Sequence, residues 1–439
     1  MGRRIWVAGA MALPLMGLCL PAKAAETGLS AGDTAWMLIS SVLVLLMTIP
    51  GLVLFYGGMV RKKNVLAIMM QGVVICALVT VLWMIVGYSL AFSNGDGFIG
   101  GLSGAMLGDL ARNWRAPFTL GAGLPDAVHY CVPESVFIMF QMTFAIITPA
   151  VITGSFAERM KFSALLLLMG AWSILVYAPV AHWVWSPAGW LFHLGIADYA
   201  GGTVVEVNSG IAGLVCALYL GKRLGFGHDN MMPWNLSYAV IGASLLWVGW
   251  LGFNSGGAGG ANPNAGMAVL VTQMAAAGAT LSWTAIEWAL RGKPTVLGAI
   301  SGTVSGLVAI TPAAGFVLPG PALLIGIAAG LLCFWAVTVA KVRLGYDDTL
   351  DAFGVHGIGG ALGMLATGLL AFAPLSDGAV HAGLRQLAVQ ALGVAATVIY
   401  CGGVTAGLLF AIDRLVGLRV SRDEERQGLD EVLHGERIA

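Results

Sequence analysis

The fold is decided by residues 40–92, which read SSVLVLLMTIPGLVLFYGGMVRKKNVLAIMMQGVVICALVTVLWMIVGYSLAF. Two apolar runs flank the three consecutive cations Arg61, Lys62 and Lys63. Each run reaches the roughly 20 residues that a helix needs to cross the hydrocarbon core of a bilayer. The segment therefore predicts two membrane-spanning helices that are joined by a short basic turn.

The same pattern continues along most of the chain. Of its 439 residues, 58% are hydrophobic and 10% are charged, against roughly 45–50% and 25% in soluble domains, which excludes a soluble globular enzyme. Apolar runs of spanning length lie near 33–58, 64–92, 133–157, 163–185, 201–221, 236–256, 264–290, 296–314, 320–341, 352–373 and 383–413. We therefore expect an all-α polytopic membrane protein with eleven transmembrane helices in residues 25–416, followed by a cytoplasmic tail in residues 417–439.

The first residues have the pattern of a secretory signal. Met1-Gly-Arg-Arg4 is positively charged, residues 5–20 are apolar, and Ala22-Lys-Ala24 has the small-residue spacing of a cleavage site. The sequence predicts a signal peptide over residues 1–24. An uncleaved first span is the alternative, because the apolar region is long for a signal peptide.

The basic residues indicate the orientation of the helices. The loops after runs four, six and eight contain no Lys or Arg, and Arg112, Arg115 and Arg385 are the cations on that side. Cations follow the odd-numbered runs: Arg61, Lys62, Lys63, Arg159, Lys161, Lys222, Arg223, Arg291, Lys293, Lys341 and Arg343. The positive-inside rule then predicts an external N-terminus and a cytoplasmic C-terminus. Because 22 Lys and Arg balance 22 Asp and Glu, net charge predicts no nucleic-acid partner.

Two similar segments indicate an inverted repeat of five plus five helices with a final added helix. Asp198-Tyr-Ala-Gly-Gly-Thr-Val-Val-Glu206 opens run five, and Asp351-Ala-Phe-Gly-Val-His-Gly357 opens run ten from the opposite side. Chance similarity is the alternative. Glycine pairs such as Gly302/Gly306 and Gly326/Gly330 have the spacing that allows close helix contact.

Glu206 and His356 are the principal candidates for a functional role. Each lies several residues inside an apolar run, where a charge costs at least about 2.5–3.5 kcal/mol. We expect them to face a cavity or each other, and a touching pair can share one proton. A buried hydrogen bond between helices, without a transport role, is the alternative.

Other polar residues have simpler interpretations. Asp198 and Asp351 precede helix starts, so capping of the backbone is the favoured interpretation for both. Glu287 is expected to form a salt bridge with Arg291 at a helix end. The six cysteines lack the spacing of a disulfide framework or metal site, and no cofactor is predicted.

In order along the chain, several motifs identify a family. They are Thr48-Ile-Pro-Gly51, Phe55-Tyr-Gly-Gly58, Phe140 with Phe144, Ala157-Glu-Arg159, Phe162-Ser-Ala164, Asp198-Tyr-Ala-Gly-Gly-Thr203, Gly252-Phe-Asn254, Asp351-Ala-Phe-Gly-Val-His-Gly357, Gly417-Leu-Arg-Val420, Gly428-Leu-Asp430 and His434-Gly-Glu436. With them the chain resembles the ammonium transporter family (Amt/Mep/Rh), specifically its bacterial Amt branch.

The resemblance implies a homotrimer in which each protomer has its own narrow apolar pore. Trp185 and Phe144 match the aromatic residues that recruit ammonium at the outer vestibule, and Asp198 matches the residue that supports them. Phe144 and Phe253 match the stacked pair that closes the outer entrance. His356 matches the second of the two pore histidines.

The sequence departs from the family pattern at two positions. Glu206 stands where most members have the first pore histidine, and Gly257 stands where the recruitment site usually has a serine. A carboxylate can hold negative charge beside a proton or cation. Loss of the serine hydroxyl leaves recruitment to aromatic rings, water or a neighbour such as Ser255.

The expected function is uptake of NH4+/NH3 and methylammonium across the inner membrane of a bacterium. NH4+ would lose a proton outside, NH3 would cross the pore, and the proton would follow through Glu206 and His356, which makes transport electrogenic. One alternative is a sensor that binds a PII-type signalling protein through the loop at residues 341–348 and the tail. Another is an electroneutral NH3 channel. No enzyme is predicted.

Overall fold

The computed structural model describes residues 28–438, apart from the side chain of Arg112. The predicted signal peptide, residues 1–24, lies outside the described residues. Within them the chain is nearly all helical, and the elements follow the predicted apolar runs.

Ten helices in residues 28–438 are long and apolar enough to cross a membrane by length and composition, and a shorter apolar helix occupies the eighth run. In chain order they are α1 (Ala31–Met59), α2 (Lys62–Phe92), α3 (Glu134–Phe156), α4 (Phe162–His193), α5 (Gly202–Leu220), α6 (Leu236–Gly256), α7 (Pro263–Arg291), α8 (Val296–Ile310), α9 (Pro319–Leu344), α10 (Phe353–Leu370) and α11 (Leu384–Val416). The eighth run was predicted to extend to residue 314, but its helix ends four residues earlier in a turn.

A small sheet lies between α2 and α3, where the sequence predicted only helices and loops. Strands β1 (Pro117–Leu120) and β2 (Val128–Pro133) are antiparallel, with Phe118 opposite Tyr130. The Ser30 amide donates to the carbonyl of Cys131 at 2.8 Å, so α1 begins against this sheet. We call this end of the helix bundle the sheet face. Apolar length is a poor signal for strands this short.

Close packing of α7, α8 and α9 depends on glycine. A Cβ atom on Gly306 would lie 2.5 Å from the carbonyl oxygen of Ala275, and one on Gly330 would lie 2.5 Å from that of Ala279. Such distances leave no room for a side chain. The prediction that these glycines serve close helix contact is confirmed.

The opposite end of the bundle holds a buried ionic network. The Glu158 Oε2 accepts from the Arg61 Nε at 2.8 Å and from the Arg223 guanidinium at 3.3 Å, and Arg223 also donates to Asp347 at 2.8 Å. Arg159 is fully buried and donates to the carbonyl oxygen of Asp347 at 2.6 Å. The network joins the loops after α1, α3, α5 and α9.

The C-terminal tail folds against this network through α12 (Arg422–Gln427) and α13 (Leu429–His434). The Lys63 ammonium donates to the carbonyl oxygens of Glu425 and Arg426. The Glu425 carboxylate accepts from the Leu224 amide and the Arg419 guanidinium, both at 2.7 Å. We call this end of the bundle the tail face.

Replacing Glu158 with Gln is expected to lower the stability of the folded protein by about 3–5 kcal/mol, because it leaves buried guanidinium groups without their counter-charge. Burial alone would raise the pKa of Glu158, but the guanidiniums of Arg223 and Arg61 outweigh it and hold the pKa below its usual value of about 4.3. The carboxylate therefore stabilises the fold above that value and ceases to do so as the pH falls through the lowered pKa.

Thermal unfolding in detergent between pH 3 and pH 7 measures this effect. The melting temperature of the wild type should fall more steeply with acidification than that of Glu158→Gln. Asp423→Asn removes an ion pair to Arg426 that lies at 3.5 Å in solvent, and it should not change the melting temperature. Equal melting temperatures for wild type and Glu158→Gln at pH 7 would contradict the account.

Candidate functional site

Three cavities follow one another through the helix bundle. The sheet-side vestibule has a volume of about 230 Å³, the middle cavity about 10 Å³ and the tail-side vestibule about 530 Å³. The middle cavity and the tail-side vestibule share Phe55, Val304 and His356 in their walls. Phe144 lines the sheet-side vestibule, and its ring contacts Phe253, which lines the middle cavity.

The sheet-side vestibule brings the predicted recruitment aromatics together. The Trp185 ring stands edge-on to that of Phe144, with 5.7 Å between centroids and 88° between planes. The Trp185 indole N–H donates to the backbone carbonyl of Asp198 at 2.9 Å, which fixes the ring. Gly257 also lines this vestibule.

Two stacked rings separate the sheet-side vestibule from the middle cavity. Phe144 and Phe253 lie 4.2 Å apart between centroids at 26°, and both are almost completely buried. Phe140 packs edge-on behind Phe144 at 4.9 Å. Passage between the two cavities therefore requires the rings to move.

Asp198 caps the start of α5. Its Oδ1 accepts from the Gly201 amide at 2.9 Å, and its Oδ2 accepts from the Thr203 amide at 2.7 Å and from the Thr203 hydroxyl. Burial raises the pKa of this carboxyl, while the donated hydrogen bonds oppose the rise. Since both oxygens are engaged, Asp198 acts on the vestibule through the backbone and Trp185.

Ser255 does not reach the vestibule. Its hydroxyl is buried and donates to the carbonyl oxygen of Leu251 one turn earlier in α6. It is absent from the described residues that line the cavity, whereas Gly256 and Gly257 line it. The structure thus places the possible substitute hydroxyl in a helix hydrogen bond.

Glu206 and His356 meet at the middle cavity. The His356 Nδ1 lies 2.6 Å from the Glu206 Oε2, and the two residues are 5% and 1% exposed. The Glu206 Oε1 is buried, with no hydrogen-bond partner in the described part of the chain. The remaining wall is largely apolar and includes Met47, Ile147 and Leu246.

Glycine contacts between α5 and α10 allow this meeting. A Cβ on Gly210 would lie 2.2 Å from the Gly357 amide nitrogen, and one on Gly360 would lie 2.6 Å from the Glu206 Cβ. Glu206 and His356 each lie in a π-helical turn, Gly202–Val207 and Phe353–Gly357. Such turns are frequent at functional sites.

The structure corrects the capping prediction for Asp351. The Phe353 amide at the start of α10 donates to Asp348 Oδ2 at 2.8 Å, and the Asp351 carboxylate instead pairs with Lys341. Asp351 has a left-handed backbone with φ of 62°, which directs its side chain away from the helix start. The predicted Glu287–Arg291 salt bridge is confirmed at 3.2 Å.

Sequence reasoning missed two residues of the cavity walls. Phe55 lines the middle cavity and belongs to a motif that carried only the resemblance. Tyr130 lines the sheet-side vestibule from β2, in an apolar stretch after Asp126 that is too short for a spanning helix. The alternation of larger apolar residues along Val128–Pro133 was the available signal for a strand.

Chemically, the arrangement separates an aromatic vestibule from an apolar passage that contains one acid–base pair. An ion in such a passage loses its hydration shell, and apolar side chains do not replace it. The corresponding cost for a small neutral molecule is much smaller. The middle cavity holds about one molecule of the size of water, since that requires roughly 10–15 Å³. The pair supplies a carboxyl group and an imidazole that can exchange a proton.

Comparison with known proteins gives one consistent result. The model of the family described as Ammonium Transporter Family matches residues 35–438. The "Ammonium transporter" of Bacillus subtilis (strain 168) is 46% identical over 411 residues, which cover 92% of this chain and 98% of the relative. The "Ammonium transporter" of Aquifex aeolicus (strain VF5) is 45% identical over 419 residues, 95% of each chain.

Solved structures agree with the sequence comparison. The crystal structure of Saccharomyces cerevisiae Mep2 has a TM-score of 0.81 at 34% identity and covers 90% of this chain and 92% of its own. A structure titled "Sensor Amt Protein" has a TM-score of 0.83 at 29% identity, with 92% and 98% covered.

Proposed function

The chain belongs to the Ammonium Transporter Family, a family of transporters and not of enzymes, and on that premise we propose that it takes up ammonium as NH3 and a separately moving proton. The observation that carries the proposal is the hydrogen bond between Glu206 and His356 in the apolar middle cavity. Methylammonium is the expected second substrate.

Recruitment takes place in the sheet-side vestibule, which we assign to the outside. The faces of Trp185 and Phe144 attract the cation, each ring contributing about 0.5–2 kcal/mol. Asp198 holds Trp185 and the start of α5 in place. Neither Gly257 nor the engaged hydroxyl of Ser255 supplies a ligand there.

Selectivity follows from the passage beyond Phe144 and Phe253. An ion that enters the middle cavity loses its hydration shell among apolar side chains, which is costly. NH4+ avoids that cost because it can lose a proton and continue as NH3. K+ has no proton to lose, so its entry requires the full free energy of dehydration, and it is excluded.

The proton moves through Glu206 and His356. NH4+ loses its proton on the sheet side of Phe144 and Phe253, NH3 passes between the rings, and the proton follows to the carboxylate, which accepts it at an oxygen. The pair exchanges the proton between Oε2 and Nδ1, and His356 also lines the tail-side vestibule, where the proton leaves. One NH3 and one proton cross, so one positive charge is transferred per ammonium ion.

The proposed sidedness rests on the cations of the tail face. Arg61, Lys63, Arg159 and Arg223 all belong to the network or the tail contacts at that end. By the positive-inside rule the tail face is cytoplasmic. We assign the protein to the inner membrane of a bacterium as a homotrimer, with the tail as its cytoplasmic segment.

A second candidate function is sensing through a cytoplasmic partner. Two observations favour it: the tail is folded onto the tail face, and the fold matches a structure titled "Sensor Amt Protein". In this alternative residues 341–348, which were predicted as a loop but whose first four residues end α9, bind a PII-type signalling protein together with the tail. A sensor without transport would show no methylammonium uptake, and a pulldown at varied nitrogen supply would recover the partner.

The proposed function is tested by uptake of labelled methylammonium into proteoliposomes of the purified protein. We expect saturable uptake that unlabelled ammonium competes away and that K+ at the same concentration does not affect. Protein-free liposomes serve as the control. Uptake equal to that of the protein-free liposomes would overturn the proposal.

A further inference from the structure

One wall of the sheet-side vestibule comes from the small sheet, through Tyr130 on β2. Its ring stacks on Phe118 with 6.1 Å between centroids and 14° between planes, and it contacts Phe137 at 5.2 Å. The ring also lies against Gly259, where a Cβ atom would be 2.6 Å from the Tyr130 Cε1. The ring is therefore held in one position.

Gly259 belongs to the same loop as Gly257, directly after α6. The absence of a side chain at Gly259 admits the Tyr130 ring two residues after the position that lacks the serine hydroxyl, and a Cβ at Gly257 itself would meet the Tyr199 carbonyl oxygen at 2.8 Å. Both glycines line the same vestibule as the tyrosine. In this loop Gly257 lacks the serine hydroxyl, and Gly259 leaves room for the phenol ring of Tyr130.

The Tyr130 hydroxyl is uncommitted. Within residues 28–438 it has no hydrogen-bond partner, and it is not one of the fully buried polar atoms. The Asp198 oxygens and the Trp185 indole N–H of this vestibule are already engaged. The Gln141 Oε1 and the Tyr199 hydroxyl also lack a partner among the described residues, but both atoms are fully buried, whereas the Tyr130 hydroxyl is not.

Ammonium needs oxygen acceptors in addition to aromatic faces. The ion donates hydrogen bonds from four N–H groups, and a phenolic oxygen can accept while its own hydrogen rotates away. Burial raises the pKa of Tyr130 to about 12, so the phenol is neutral at physiological pH. A neutral oxygen beside aromatic rings binds a cation without trapping it in a strong ion pair.

We propose that the Tyr130 hydroxyl accepts a hydrogen bond from ammonium or methylammonium in the sheet-side vestibule and replaces the hydroxyl that Gly257 lacks. This inference rests on the proposed function, since it assigns a ligand to the same recruitment site. It makes Tyr130 a binding residue that acts before the substrate passes Phe144 and Phe253.

The test is Tyr130→Phe in the full-length reconstituted protein, with KM and maximal rate of methylammonium uptake measured together. The ring and its packing remain, and only the acceptor oxygen is lost. A hydrogen bond to a charged group predicts a KM about tenfold higher or more. The maximal rate should stay within about twofold, because the lost contact is made before the chemical step.

Tyr238→Phe is the matched control, since it removes the hydroxyl of an exposed tyrosine at the opposite end of α6, outside the vestibule. We expect its KM to equal that of the wild type. An unchanged KM in Tyr130→Phe, with a wild-type melting temperature, would overturn the inference and leave the proposed function intact. Absence of uptake by the wild type would instead overturn the proposed function itself.

Discussion

Replacement of Glu206 by Ala is expected to abolish the ammonium-evoked current of the reconstituted protein while the fold remains intact. The carboxyl is the partner of His356, at 2.6 Å, in a cavity that is otherwise apolar. Removal of a group that transfers a proton reduces rates by about 10²- to 10⁴-fold, so we expect a loss of at least about 100-fold. Solid-supported-membrane electrophysiology on proteoliposomes measures it.

Two further variants at the same position distinguish proton transfer by the carboxyl group from its hydrogen bond to His356. Glu206→Gln keeps the size of the side chain and an acceptor for His356, but it cannot ionise, and we expect the same loss of current. Glu206→His restores an ionisable group and should retain current with a shifted pH dependence. Wild-type currents in Glu206→Gln would show that the carboxyl carries no proton. Melting temperatures confirm that each variant is folded.

The second large effect is expected from Asp198→Ala. The carboxylate accepts from the backbone amides of Gly201, Gly202 and Thr203, and removing it leaves three buried N–H groups without partners. Each such group costs about 1–3 kcal/mol, so the folded state should lose at least about 3 kcal/mol. Because Trp185 is bound to the Asp198 carbonyl, uptake should fall with stability.

Asp96→Ala is the matched control for that variant. Asp96 also accepts from two backbone amides, those of Phe98 and Ile99, but it does so in a loop exposed to water. Water replaces those hydrogen bonds, so its melting temperature should stay near that of the wild type. A melting temperature of Asp198→Ala equal to that of Asp96→Ala would contradict the capping role.

Apolar length and charge position were sufficient to predict the helical part of the fold. Each run near residues 33–58 or 64–92 contains enough apolar surface to specify a spanning helix by itself, so no long-range contact had to be known. Glycine spacing predicted close packing for the same reason, because it acts through neighbouring turns of one helix. The eighth helix was shorter than predicted because a turn ends it after Ile310.

Features that depend on contacts between distant segments were harder to predict from the sequence. The meeting of Glu206 with His356 joins residues 150 positions apart, and the sequence left it open whether they touch. The strand pair between α2 and α3 and the capping of α10 by Asp348 are local in sequence, and they were missed because the strands are short and because both Asp348 and Asp351 precede the helix. Tyr130 was not predicted as a site residue, because its proposed role depends on its contact with Gly259 in a remote loop.

Some site residues could be named from sequence motifs, whereas the roles of others required the structure. Residues in sequence motifs, such as Phe144 and Phe253, could be named through the resemblance, and they lie stacked at 4.2 Å. The consequence of Gly257 could not be derived from the motif, because Ser255 points into its own helix. The structure therefore adds most at Glu206 and Gly257, where the resemblance implies a departure from the family pattern.

The most direct test of the central claim is the current evoked by ammonium in proteoliposomes of the wild-type protein. If NH3 and a proton cross together through the pore at Glu206 and His356, an inward ammonium gradient produces a saturable inward current, and an equal K+ gradient produces none. Labelled methylammonium uptake without any ammonium-evoked current would contradict the account and identify an electroneutral NH3 channel.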